Sequence, residues 1–159
     1  MRVFLGTDHA GFELKEHLVS WLRENGHEAV DCGAFEYDAV DDYPPFVLRA
    51  AERTAAEPGT LGVVIGGSGN GEAIAANKVR GVRAALVWNE DTARLAREHN
   101  DANVISLGAR QHDAATATRF VELFLGTAYS GDQRHTNRIR MIGDYEGTGE
   151  LPPLPSPAG

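Results

Sequence analysis

Short apolar runs alternate with longer stretches whose apolar positions recur every three or four residues, along nearly the whole chain. The runs at 3–6, 28–31, 61–65, 83–88 and 103–107 have the length of buried strands, and 61–65 is the most apolar of them. Between and after them the spacing predicts helices over 11–24, 44–56, 92–98, 113–125 and 132–145, with a shorter one around Ile74, Ala75 and Ala76. In the first helix Leu14, Leu18, Trp21 and Leu22 share one face, and Gly26 is a natural stop. Pro44 and Pro45 suit the first turn of the second helix, which follows a polar, acidic loop over 36–43.

Strands alternating with helices in this way imply parallel β-α-β units and a sheet covered on both faces. The expected fold class is therefore α/β: a three-layer, doubly wound (Rossmann-like) five-stranded parallel sheet in a single domain over residues 1–146. Residues 147–159 hold four of the seven prolines and are expected to form a flexible C-terminal tail. No internal repeat is present. In such sheets ligands bind at the carboxyl ends of the strands, so the chemistry is sought there.

Composition narrows the classes of partner. The formal net charge of −8 argues against a nucleic-acid or acidic-membrane surface. Lys15 and Lys78 are the only lysines, so an anion site must be built from arginine, whose fork suits phosphate. Cys32 is the single cysteine; it excludes an intrachain disulfide and a multi-cysteine metal site, and it is expected in the core. No signal-peptide pattern follows Met1 and no apolar run approaches the ~20 residues that span a bilayer, so a cytoplasmic protein is expected.

Three strand ends carry candidate chemistry. After the first strand come Asp8 and His9, a carboxylate and an imidazole suited to proton transfer or ligand binding, although Asp8 could equally cap the helix that follows. After the third comes Gly66-Gly67-Ser68-Gly69-Asn70-Gly71, whose amides open onto a helix start and form an anion or oxyanion cradle. The loop places Glu72 where a Walker lysine would stand, and it lacks the dinucleotide spacing, so ATP and NAD are disfavoured. Glu72, on the first helical turn where the dipole favours its ionised form, is a candidate general base beside that cradle. After the fifth strand comes Arg110. Arg134 and Arg138 share a face of the last helix and repel each other unless an anion lies between them or salt screens them. His99 and Asn100 end a helix antiparallel to the sheet, so they fall on the rim opposite the glycine loop. If His99 is catalytic, a second subunit must bring it to the site. His17, His27 and His112 show no metal-ligand spacing and are expected at the surface.

Taken together, the stretch from Gly6 to Gly11, the glycine loop with its following Ile74-Ala75-Ala76-Asn77-Lys78, Glu98-His99-Asn100 and the arginine-bearing last helix resemble ribose-5-phosphate isomerase type B, of the family shared with galactose-6-phosphate isomerases. The resemblance covers residues 1–146. Many members carry a cysteine base where this chain has Gly66; the chain is instead similar to the branch, typical of actinobacteria, with a glutamate after the loop.

The resemblance implies Glu72 as proton acceptor and His99 as the proton donor that helps open the sugar ring. Asp8 and His9 would contact substrate, while Gly67, Ser68, Gly69, Asn70 and Gly71 would hold the enediolate oxygens. Asn100, Arg110, Arg134 and Arg138 would complete the site, the arginines mainly at phosphate. It further implies a homodimer, or a tetramer, with sites across the interface, and chemistry that needs neither metal nor cofactor. The expected reaction interconverts D-ribose 5-phosphate and D-ribulose 5-phosphate in the pentose phosphate pathway. A six-carbon substrate such as allose 6-phosphate, or a non-catalytic sugar-phosphate-binding module, are the alternatives. A receiver domain is disfavoured because Gly66 and Arg110 stand where it needs aspartate and lysine.

Overall fold

The computed structural model describes residues 1–157. Five strands, β1 (Arg2–Thr7), β2 (Glu28–Asp31), β3 (Leu61–Gly66), β4 (Ala84–Leu86) and β5 (Val104–Gly108), form one parallel sheet in the order β2-β1-β3-β5-β4. The helices are α1 (Phe12–Glu24), α2 (Pro44–Ala56), α3 (Asn70–Ala76), α4 (Glu90–Asn100), α5 (Ala114–Gly126) and α6 (Gln133–Thr148). The α/β sheet expected from the apolar runs is the fold found.

Side-chain alternation along the central strands divides the core in two, since successive residues of a strand face opposite sides. Val3, Leu5, Val63, Ile65, Ile105 and Leu107 pack with α1, α4 and α5. Phe4, Val64 and Val104 face α2 and α3, where Cys32 is buried as expected. Lys15 is also fully buried; its Nζ meets Asp31 Oδ2 and the Ala34 carbonyl at 2.6 Å each, tying α1 to the end of β2.

The differences from the pattern are local. β4 is three residues rather than six, because it lies at the sheet edge and pairs with β5 alone. α4 begins at Glu90, because Asn89 and Thr92 form a reciprocal cap that extends it toward β4. α6 runs to Thr148, past the expected stop, and Gly149 closes it at φ 74°. The first two residues of the expected tail, 147 and 148, are therefore still helix; 149–157 has no regular structure, and the last two tail positions lie outside the described residues. α6 buries only His135 and packs on α4, away from the sheet. No helix of the described residues is long and apolar enough to cross a membrane.

Candidate active site

β1 and β3 are neighbours in the sheet, and the chain leaves them toward different layers, so their carboxyl ends open a crevice at the switch point. Glu72 occupies it. Its side chain folds back from α3 over the end of β3, and a Cβ added to Gly66 would lie 2.0 Å from the Glu72 carboxyl carbon. Only a residue without a side chain at Gly66 leaves room for that carboxylate. Glu72 is 5% exposed; burial is the main cause that raises its pKa above the ordinary carboxylate range, and the nearby Asp8 charge adds to it. The helix-start effect expected from sequence is outweighed by desolvation.

The glycine loop crosses in front of Glu72. Gly69 stands at φ 85°, and a Cβ there would meet Leu86 and the Leu107 main chain at 2.9–3.1 Å. Ser106 Oγ donates to the Gly69 carbonyl at 2.7 Å from within the core, which fixes the loop on β5. Among the described residues, none of the amides of Gly67, Ser68 and Gly69 is spent on a backbone carbonyl. Asn70 and Gly71, expected in the loop, form the first turn of α3, and the Asn70 amide donates to Ser68 Oγ.

Asp8 both caps and faces the crevice: it accepts from the Ala10 amide at 2.9 Å and lies close enough to Glu72 to act on its charge. His9 Nδ1 lies 2.7 Å from Asp41 Oδ1, a hydrogen bond that leads the causes raising the His9 pKa. Arg110 extends over Gly67, with its guanidinium 3.1 Å from where a Cβ would be. Tyr43 Oη lies against Gly71.

The remaining candidates lie elsewhere in the chain. α4 runs antiparallel to the strands, so His99 and Asn100 reach the opposite rim, about 16 Å from the glycine loop by the length of five-residue β5. There His99 stacks on His135 of α6, ring centroids 4.1 Å apart and 16° from parallel. Arg134 contacts His135 Nε2 at 3.3 Å, and Arg138 makes no ion pair among the described residues. Arg110 and the pair Arg134 and Arg138 are therefore not brought together within one chain. Burial lowers the His135 pKa, with the His99 and Arg134 charges acting the same way. A cavity on this rim, bordered by Met1, Thr60 and Leu125, has its Arg83 and Arg97 already committed to Asp101 and to main-chain carbonyls.

The Ribose/Galactose Isomerase family matches residues 3–142. The chain belongs to that family. It is 56% identical to the ribose-5-phosphate isomerase B of Mycobacterium tuberculosis over 98% of this chain and 96% of that one. Among solved structures it is similar to ribose-5-phosphate isomerase B from Mycoplasma genitalium with bound ribulose-5-phosphate, with TM-score 0.89, 39% identity, and coverage of 92% of this chain and 97% of that one. It is also similar to the type B enzyme from Trypanosoma cruzi, with TM-score 0.87, 41% identity, and coverage of 93% and 99%.

Within this family member the crevice holds what proton transfer beside a carbonyl needs: a desolvated carboxylate, uncommitted amides and a cation at one side. Asp8, His9 and Asp41 bring three ligand-type atoms within 4.8 Å, but the His9 Nδ1 position is taken up by the bond to Asp41, the arrangement of a dyad rather than of a metal cage. Asp41 and Tyr43 were not singled out in the sequence. The one signal was that the acidic loop ends in them immediately before the Pro-Pro helix start. Of the histidines expected at the surface, His17 is exposed, whereas His27 stacks on Trp21 and His112 meets Phe120 edge-on, both histidines partly buried.

Proposed function

We propose that the chain is an aldose–ketose isomerase that interconverts D-ribose 5-phosphate and D-ribulose 5-phosphate through a cis-enediolate, in the pentose phosphate pathway. The observation that carries this is the Glu72 carboxylate, buried over Gly66 beside the glycine-loop amides. Glu72 takes the C2 proton and returns it to C1. The loop from Gly67 to Gly71 holds the oxygens as charge develops on them, through amides other than that of Asn70, which donates to Ser68 Oγ; losing one such donor typically costs ~3 kcal/mol of barrier. The raised Glu72 pKa makes the carboxylate a stronger base than an exposed one, which suits a weakly acidic C–H.

Asp8 and His9 contact the substrate, and Arg110 lies at the phosphate end. His99, donating the proton that opens the ring, comes with Asn100, Arg134 and Arg138 from a second copy of the chain. A homodimer is the smallest assembly that completes a site, and a tetramer made of such dimers would do so equally. The separation of the two groups within one chain supports this reading. A phosphorylated substrate, which does not cross a bilayer unaided, favours a cytoplasmic setting. The described residues beyond α6 are assigned no part in the chemistry.

Incubation of the EDTA-treated protein with ribose 5-phosphate should yield ribulose 5-phosphate. Glu72→Gln should lower kcat by at least about a hundredfold with KM little changed. A near-normal rate in the variant would remove Glu72 as base. No turnover by the folded wild type would move the assignment to a six-carbon phosphosugar or a binding protein.

A further inference from the structure

The acidic loop between β2 and α2 does more than join two elements. Asp41 reaches back to His9, 32 residues earlier, and its Oδ1 accepts two hydrogen bonds from that one residue: the backbone N–H at 2.8 Å and ring Nδ1 at 2.7 Å. The two side chains are largely enclosed, at 12% and 24% exposure. Among the described residues, Asp41 Oδ2 is buried with no hydrogen-bond partner and His9 is the one cationic group that pairs with this carboxylate. A buried carboxylate left without a counter-charge is costly, so the loop and the imidazole depend on each other.

We propose that Asp41 is a positioning residue for His9: it holds the ring through Nδ1 and leaves Nε2–H as a hydrogen-bond donor to the anionic end of the sugar phosphate, beside Arg110. The proposal rests on the isomerase reading and deepens it. With Nδ1 committed, Nε2 is the ring nitrogen free for a ligand, and a carboxylate on the far side of an imidazole sets both its orientation and its protonation state. The charged groups that face His9 come from three segments. Asp41 on the loop raises its pKa most and Asp8, 4.0 Å from Nδ1, raises it further, while Arg110 after β5 and desolvation lower it. The net direction is upward, so the cation persists to higher pH than in a free imidazole and is lost as pH rises through that raised value. Two cations, Arg110 and His9, then flank one edge of the crevice whose other groups, Asp8 and Glu72, are carboxylates. A sugar phosphate has the same polarity, anionic at one end and hydroxyl-bearing at the other.

Asp41→Asn separates positioning from simple anchoring. The asparagine Oδ1 still accepts from the His9 backbone N–H, so the loop stays tied while the charge is removed. The expected result is a KM for ribose 5-phosphate raised about tenfold with kcat little changed, and an alkaline limb of kcat/KM moved to lower pH. KM and pH profile both equal to wild type would overturn the proposal. An NMR pH titration of the wild-type imidazoles decides the matter independently of turnover and of the variant's folding. His9 should remain protonated to higher pH than His27 and His135, both lowered chiefly by burial. A His9 that titrates with those two would overturn it. If wild type turns over no ribose 5-phosphate, the isomerase reading fails, while the titration still tests the Asp41–His9 pair.

Discussion

Glu72 and His99 stand on helices flanking the same sheet, yet their surroundings differ in kind. Glu72 is 5% exposed, held against main chain at the end of a central strand, with a loop pinned across it by Ser106. The His99 side chain is 37% exposed at the end of α4, supported by one stacked imidazole on a helix that has left the core. The first region is built by the sheet and is finished within one chain. The second presents an imidazole and the two arginines Arg134 and Arg138 to the outside. On the proposed reading, the difference separates a rigid half, which would shape the reacting carbons, from an exposed half, which a second copy would receive.

The sharpest way to break this contrast is at Gly66. Gly66→Ala places a Cβ 2.0 Å from the Glu72 carboxyl group and must displace it. Turnover of ribose 5-phosphate should fall about a hundredfold while the fold survives, as judged by circular dichroism. Retained activity would mean that the carboxylate need not lie over β3. On the exported half, Arg138→Ala should act more mildly, raising KM about tenfold with kcat nearly unchanged, since it removes binding remote from the reacting carbons. A fall in kcat at constant KM would place Arg138 nearer the chemistry than the account allows. The pH profile sharpens the rigid half further. As the proposed base Glu72 would act ionised, so its raised pKa should put the acid limb of kcat/KM above the ordinary carboxylate range, with activity lost as pH falls through it. Asp8→Asn removes a like charge and should move that limb to lower pH, a modest shift because burial, not Asp8, is the larger cause. An unmoved limb would detach Asp8 from Glu72.

Much of the rigid half was legible in the chain because it obeys local rules. Apolar runs of strand length, separated by amphipathic helices, specify the parallel sheet, and the sheet specifies the rim where Asp8, the glycine loop and Arg110 must appear. The antiparallel run of α4 likewise put His99 on the far rim before any coordinates. What was not legible depends on distant approach. Nothing near His9 announces Asp41, and nothing near His99 announces His135, because each pair is joined by tertiary packing across 32 and 36 residues. The balance at Glu72 was hidden for a related reason: a helix start is visible in sequence, whereas the desolvation that outweighs it requires Gly66 and the folded loop. β4 was overestimated because its apolar pattern continues past the point where the edge strand loses its only partner.

The proposed division of one site between two chains is tested most directly by complementation. Glu72→Gln and His99→Asn variants, each inactive alone, would be unfolded together, refolded as a mixture and assayed on ribose 5-phosphate. If Glu72 and His99 of a working site come from different copies, each mixed dimer contains one doubly damaged and one intact site. With half the dimers mixed, activity should return to about a quarter of wild type. A mixture that stays as inactive as its components, with mixed dimers shown to form, would place both residues of a site in the same chain and contradict the account.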